Sequence, residues 1–290
     1  MKSRRRVAGF AVANGTIIVL AAASMLAPVI HVLAVSLSNE YYLNRNAVGF
    51  WPRGLTIDAY GYVFAQESLW RSLGVSAAIT VGGTLMALAL VSSVAYSLSR
   101  RAMPLRTLAL TAILVTFIFP VPLIPYYLVV RSVRLENTLW ALMVPQAVGA
   151  FNIFIMKAFF QGIHQELFDA ATIDGCSEYR IYARIVLPLS TPVLATIGIF
   201  FAVGQWNMYF QALIFIRKAT LRPIQILLRS LVVEGEAVVA TTGTEAEVGH
   251  YTPEQLKAAI IIFATIPIVA VYPFLQRYFV KGAMLGSLKG

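Results

Sequence analysis

Side chains able to carry a reaction are few in this sequence and badly placed to meet. His31, His164 and His250 are the three histidines of 290 residues, and Cys176 is the single cysteine. No metal-ligand spacing relates them, and one cysteine cannot form an internal disulfide. No glycine-rich loop ends in Lys-Ser/Thr, so the chain does not itself cradle nucleotide phosphates in that mode. Asp169 and Asp174 are neighbouring carboxylates, but beside Ala170, Ala171 and Gly175 they suit helix ends and docking better than acid–base work. What remains is amide and aromatic. Gln205, Trp206, Asn207, Tyr209, Phe210 and Gln211 fall about halfway through an apolar segment. Such a set can hold a hydroxyl-rich ligand, with rings against sugar faces and amides on hydroxyls. The same residues can instead join neighbouring helices by hydrogen bonds and aromatic packing. Tyr126, Tyr127, Gln146 and Asn152 are further candidates for the same pathway.

The elements that carry these residues belong to a membrane protein. The chain is 59% hydrophobic and 12% charged, with mean hydropathy +0.75, whereas a soluble domain carries roughly a quarter charged residues. A net charge of +10 raises nucleic acid as a partner, but no basic stripe with interleaved aromatics occurs. The basic residues sit at the ends of apolar runs, as membrane flanks do, and nucleic acid is excluded. Cys176, beside Gly175, reads as a small helix-packing residue.

Six membrane spans are expected, over about 10–37, 72–98, 107–130, 138–160, 193–216 and 257–280. Each has about 20 residues or more, enough for a hydrocarbon core of about 30 Å. The basic start MKSRRR leads into an apolar run too long for a secretory signal, so a first span is expected there. Gly82 and Gly83 allow close packing on the second span. Pro120, Pro122 and Pro125 should kink or loosen the third, against protein or a cavity rather than lipid. Lys157 can snorkel from the end of the fourth. Between the fifth and sixth, 221–233 reads as amphipathic and 234–252 as Gly-, Thr- and Glu-rich and mobile. No Asp or Glu falls at mid-span, which argues against an ion-coupled carrier and for an outside energy source.

Placing the N-terminus (1–9), the short link 99–106, the loop 162–192 and the tail 281–290 on one side gives that side 13 of the 23 basic residues, counting Lys157 and Arg277 at span ends. The positive-inside rule then sets both termini in the cytoplasm.

The loop Glu166 to Pro192, ELFDAATIDGCSEYRIYARIVLPLSTP, reads as two short helices with a break. Ala170 and Ala171 favour helix and leave almost no side chain in a partner's way. Gly175 can take the left-handed conformation that ends a helix. Ser177, Arg180 and Arg184 begin a second, amphipathic helix that Pro188 closes. The spacing D-A-A-x3-G-x9-I-x-L-P, from Asp169 to Pro188, resembles the EAA loop of binding-protein-dependent ABC importer permeases. Asp169 departs from the family's usual Glu and keeps its charge.

Beyond the loop, the whole chain resembles the carbohydrate-uptake branch of that family, as the second permease of a maltose-type system. YPFLQRYFVKGAMLGSLKG, WNMYFQALIF and PIQILLR resemble a subgroup for complex or uronate oligosaccharides, such as alginate or pectin fragments. The resemblance implies an all-α membrane protein with the type I ABC importer permease fold and a cytoplasmic coupling helix between spans four and five. It implies a bacterial inner-membrane location. It implies a homologous second permease, two ATP-binding subunits, an extracytoplasmic binding protein, membrane lipid and an oligosaccharide as partners. No cofactor is expected on this chain, since ATP and Mg belong to the ATP-binding subunits, and no metal site is expected. Glu166, Asp169, Ala170, Ala171, Asp174, Gly175, Ile185, Leu187 and Pro188 are then the coupling residues, and the tail 281–290 a further contact to the ATPase. Gln205, Trp206, Asn207, Tyr209, Phe210, Gln211, Tyr126 and Asn152 would line the substrate pathway. An importer for another small solute, a membrane-embedded enzyme or a membrane scaffold are the alternatives.

Overall fold

Long runs of Ala, Leu, Val and Ile satisfy their backbone groups most cheaply within their own helix, and helices dominate the result. The structure, a computed structural model, describes residues 2–234 and 251–287, with side chains over 13–230 and 251–273. The mobile segment expected at 234–252 and the end of the C-terminal tail lie almost wholly outside the described residues.

In chain order the helices are α1 (Lys2–Ser36), α2 (Glu40–Leu43), α3 (Asp58–Ala65), α4 (Glu67–Ser99), α5 (Arg106–Ile118), α6 (Leu123–Ser132), α7 (Trp140–Met143) and α8 (Ala150–Gln161). There follow α9 (Gln165–Ile173), α10 (Glu178–Ile181), a π turn over Tyr182–Val186, α11 (Leu187–Leu189), α12 (Thr191–Trp206), α13 (Phe210–Phe215), a 3-10 turn over Ala219–Leu221 and α14 (Ile224–Glu234). The last, α15, runs over Pro253–Ser287, past the expected end at 280.

Three stretches are long and apolar enough to cross a membrane alone: Ala13–Ser36, Glu67–Ser99 and Pro253–Pro273. These are the first, second and sixth expected spans. The middle three depart from single continuous helices, each for an identifiable reason. The third divides into α5 and α6, bent by 120°, where Pro120 and Pro122 supply no backbone N–H. The fourth is interrupted between α7 and α8, leaving α8 with 12 residues and a length of about 18 Å. Pro145 and Gly149 stand in that break, a signal that hydropathy alone passes over.

The fifth ends its main helix at Trp206 and resumes at Phe210. Asn207 stands at the C-cap, and both its backbone N–H (3.1 Å) and its side-chain Nδ2 (3.0 Å) donate to the Val203 carbonyl, so the side chain doubles the last bond of the helix. The segment Glu178–Leu189 meets α12 at 81°. Pro188 does not close it. Helix persists to Leu189, widened to a π turn just ahead of the proline, and the bend falls at Ser190.

By contact density the chain forms two units, one of Met1–Trp70 with Leu228–Pro267 and one of Arg71–Leu227 with Ile268–Gly290. In the first, the end of α1 is tied to α3 and to the loop before it. Ser36 and Tyr60 share a hydrogen bond of 2.8 Å, and His31 Nδ1 lies 2.8 Å from the Gly49 carbonyl. Phe64 and Trp70 stack at 6.0 Å, and both meet the edge of Phe263 on α15.

The second unit holds two apolar clusters. One gathers Val91, Ala95 and Leu98 of α4 with Met156 and Phe160 of α8, Phe168 and Ala171 of α9, and Ile197 and Phe201 of α12. The other centres on Phe215 with Ile79, Leu142, Met143, Met208 and Ala212. Asn137 fastens the second cluster's edge. Its N–H donates to the Phe215 carbonyl (2.8 Å), and its Oδ1 accepts from the N–H groups of Arg217 (3.1 Å) and Lys218 (2.9 Å). Its φ is +63°, a conformation Asn tolerates better than most residues. Asn137→Ala removes two acceptor bonds worth about 1 kcal/mol each and adds left-handed strain. The expected result is a melting temperature lowered by several degrees in detergent, and an unchanged melting temperature would show that the joint carries no stability.

Candidate functional site

Helix α9 is built to be held on one side and presented on the other. Phe168 and Ala171, three residues apart, are buried in the first cluster. Glu166, Asp169, Ala170, Ile173 and Asp174 are exposed, Ile173 to 86%. Gln165 Nε2 donates to Asp169 Oδ1 at 2.9 Å along the exposed face. Of the two alanines expected to share a partner surface, Ala170 faces outward and Ala171 inward.

The helix ends as its glycine foretells. Gly175 has φ +73°, its N–H donates to Thr172 O (3.0 Å), and the Cys176 N–H reaches back to Ala171 O (2.9 Å). This paired closure leaves the last turn satisfied and turns the chain sharply. Any other residue at Gly175 would have space for its side chain, since nothing lies within 4 Å of a Cβ there, but would be strained by φ. Ile185 and Leu187 are half-buried, with Ile185 packed on the first cluster, while Pro188 is exposed. These members of the motif seat the loop.

A set that the sequence reading missed grips this loop from the end of α4. Ser92 and Tyr96 share one face of α4, and Arg100, four residues on, stands just past its end. The Ser92 and Tyr182 hydroxyls are 2.6 Å apart. Tyr96 Oη donates to the Glu178 carboxylate at the start of α10. Arg100 pairs with Glu178 at 3.4 Å and lies 4.3 Å over the Phe168 ring. One guanidinium therefore touches both helices of the loop. The signal available in sequence was that polar stripe at the end of an apolar span.

The amide and aromatic residues separate into different settings. Gln205 and Trp206, 4% and 8% exposed, close the end of α12 within the protein. A methyl placed on Gly83 of α4 would lie 2.8 Å from Gln205 Cδ and Nε2, so that glycine is what lets the amide come so close. Asn207 turns back onto its own helix. Tyr126 and Tyr209 are half-buried against the Phe215 cluster, with Tyr126 edge-on to Phe215 at 5.6 Å. Phe210 is exposed and Gln211 half-buried. Asn152 stands in the first turn of α8, beside Gly149. Tyr127 stacks on Phe215 at 5.8 Å and donates to Glu136. Of the eight pathway residues expected from sequence, Gln205 and Trp206 are the two that are buried. Among the described residues no group of His, Cys, Asp and Glu could hold a metal ion.

With this geometry in hand, known proteins can be compared. A family described as "Binding-protein-dependent transport system inner membrane component" matches residues 74–284. Protein LplC of Bacillus subtilis (strain 168) is 43% identical over 264 residues, covering 91% of this chain and 89% of that one. The polygalacturonan/rhamnogalacturonan transport system permease protein YtcP of the same organism is 41% identical over 266 residues, covering 91% and 92%. A crystal structure of a bacterial ABC transporter involved in the import of the acidic polysaccharide alginate matches with a TM-score of 0.85 at 29% identity, over 93% of this chain and 96% of that one. The extent of these matches makes the assignment: the chain belongs to the inner-membrane permease components of binding-protein-dependent ABC transport systems, and is not itself an enzyme.

Proposed function

We propose that this permease imports an oligosaccharide, with uronate-containing chains as the favoured class. The observation that carries this reading is the agreement in cargo type between relatives and structure. A permease for polygalacturonan and rhamnogalacturonan aligns over nine-tenths of the chain, and the matching solved transporter imports an acidic polysaccharide. The working complex contains a homologous second permease, two ATP-binding subunits that hold ATP and Mg, and an extracytoplasmic binding protein that delivers the sugar. Both termini lie in the cytoplasm, on the same side as α9.

Force enters through the exposed face of α9, at Glu166, Asp169, Ala170 and Asp174. Ala171 and Phe168 pass it to the cluster shared by α4, α8 and α12. Arg100 and Tyr96, both joined to Glu178, carry the same displacement to the end of α4. Because α4 also carries Gly83 against Gln205, a shift of α4 along α12 changes the place where the Gln205 amide meets the helix backbone, beside the Trp206 indole in sequence. Gln205 and Trp206 are the core of the pathway. Asn207, Tyr209, Phe210, Gln211, Tyr126 and Asn152 belong to it once the broken helices move, since irregular backbone at membrane depth is tolerated beside a cavity. Ile185, Leu187 and Pro188 hold the loop in place for docking.

The function is tested with the four-component complex in proteoliposomes, by ATPase activity with and without a panel of neutral and uronate oligosaccharides delivered by the binding protein. Stimulation severalfold by uronate chains is expected, and stimulation by none of the saccharides would contradict the sugar reading. For the coupling role, Gly175→Val places a β-branched residue at φ +73°, straining the turn by about 1–2 kcal/mol. The protein should still insert and pair with its partner permease, with uptake reduced at least about tenfold. Normal uptake by that variant would remove Gly175 from the coupling account.

A further inference from the structure

Four side chains, two on α4 and two on α12, have buried polar atoms with no hydrogen-bond partner. They are the hydroxyls of Thr80 and Thr84, both amide atoms of Gln205 and the indole N–H of Trp206. Thr80, Gly83 and Thr84 share one face of α4 by their spacing of three and four residues. Gly83 on that face is the residue against which the Gln205 amide lies. Leaving such groups unpaired inside a membrane protein is expensive, about 1–3 kcal/mol for each. Helix-to-helix glue does not account for them, because side chains serving as glue are bonded across the helices, and these are not.

We propose that Thr80 and Thr84 of α4, with Gln205 and Trp206 of α12, form a subsite for the hydroxyl groups of a saccharide, closed here by Gln205 resting on Gly83. The proposal rests on the oligosaccharide reading and adds a second wall to its pathway, from α4, whose side chains that reading did not assign to the sugar. The chemistry selects the ligand. A primary amide and two hydroxyls offer donors and acceptors together, and the indole adds a donor. A sugar hydroxyl both donates and accepts, and so matches that mixture. None of the four side chains carries a charge, so the subsite reads hydroxyls and leaves a uronate carboxylate to other residues. It accepts neutral and acidic sugars alike, and the preference for uronate chains has to arise outside it.

Valine has the shape of threonine without its hydroxyl, and this gives the test opposite outcomes for the two roles. The complex in proteoliposomes, with saturating binding protein, is assayed for initial uptake of labelled trigalacturonate and arabinotriose. Its melting temperature and subunit copurification are measured alongside. The double variant Thr80→Val/Thr84→Val should lose uptake of each transported saccharide at least about tenfold, while its melting temperature stays level or rises because unpaired hydroxyls are gone. Thr80→Ser/Thr84→Ser should keep uptake within about threefold of the original. Gly83→Ala, which pushes the flexible Gln205 amide aside, should reduce uptake without loss of copurification. Unchanged uptake in the double valine variant, or a fall in its melting temperature, would overturn the subsite, the second by showing that the hydroxyls are bonded within the protein. Wild-type complex that takes up neither saccharide would overturn the oligosaccharide reading and the subsite with it. Wild-type uptake with an indifferent valine variant would overturn the subsite alone.

Discussion

Inside a bilayer, a backbone N–H or C=O that leaves helical geometry has no water to turn to, and this constraint governs the middle of the chain. Three of its apolar segments are broken, between α5 and α6, between α7 and α8 and between α12 and α13. Each break can persist only where protein or a water-filled cavity receives the freed groups. The second unit is arranged to provide that. Asn207 returns its amide to Val203, Asn137 binds the chain just beyond α13, and the Phe215 cluster packs against the turns on either side. Within this unit the unbroken helix α4 supplies a rigid surface against which α8 and α12 pack. A permease needs both, because alternating access requires segments that can shift and elements that transmit the shift.

Transmission follows the same division. The buried residues of α9 are Phe168 and Ala171, whereas its exposed residues mix acidic, small and apolar side chains, Ile173 and Leu167 among them, and so it is fixed on one side and available on the other. The Arg100 guanidinium, shared between Phe168 and Glu178, joins α9 and α10 to the end of α4. Such a half-exposed pair would contribute little to stability by itself. Its value lies in geometry, since it joins two short helices to a helix of 33 residues. From there the path to Gly83 and Gln205 runs along a single rigid rod, and coupling over that distance needs no specialised chain of contacts.

Much of this was legible in the residues. The helix, its glycine closure and the loop's place between apolar segments followed from Asp169, Ala170, Ala171 and Gly175, because the left-handed turn after a helix has few other occupants. The long first, second and last apolar segments followed from hydropathy, which registers helices whose whole length is apolar. The breaks were only partly visible. Three prolines announced the bend near 120, but Pro145 and Asn207 are single residues within apolar runs, and their effects depend on where a side chain or a missing N–H falls in the helix. The pairing of Gln205 with α4 was not visible at all. Contact between residues 83 and 205 is set by helix packing, and the glycine that permits it is identical in sequence to one that merely avoids a clash. The stripe of Ser92, Tyr96 and Arg100 was visible as a pattern, but its meaning required Glu178 and Tyr182 opposite.

The central claim is that ATP-driven force enters through the outward face of α9, and its sidedness offers the most direct measurement. With Cys176 replaced by serine, single cysteines at Ala170 and at Ala171 can be tested for cross-linking to the ATP-binding subunit with a short bifunctional reagent. Ala170→Cys is predicted to cross-link strongly and in a nucleotide-dependent manner, and Ala171→Cys, buried against the α4 and α8 cluster, to remain unlinked. Cross-linking through 171 and not 170, or through neither, would contradict the account.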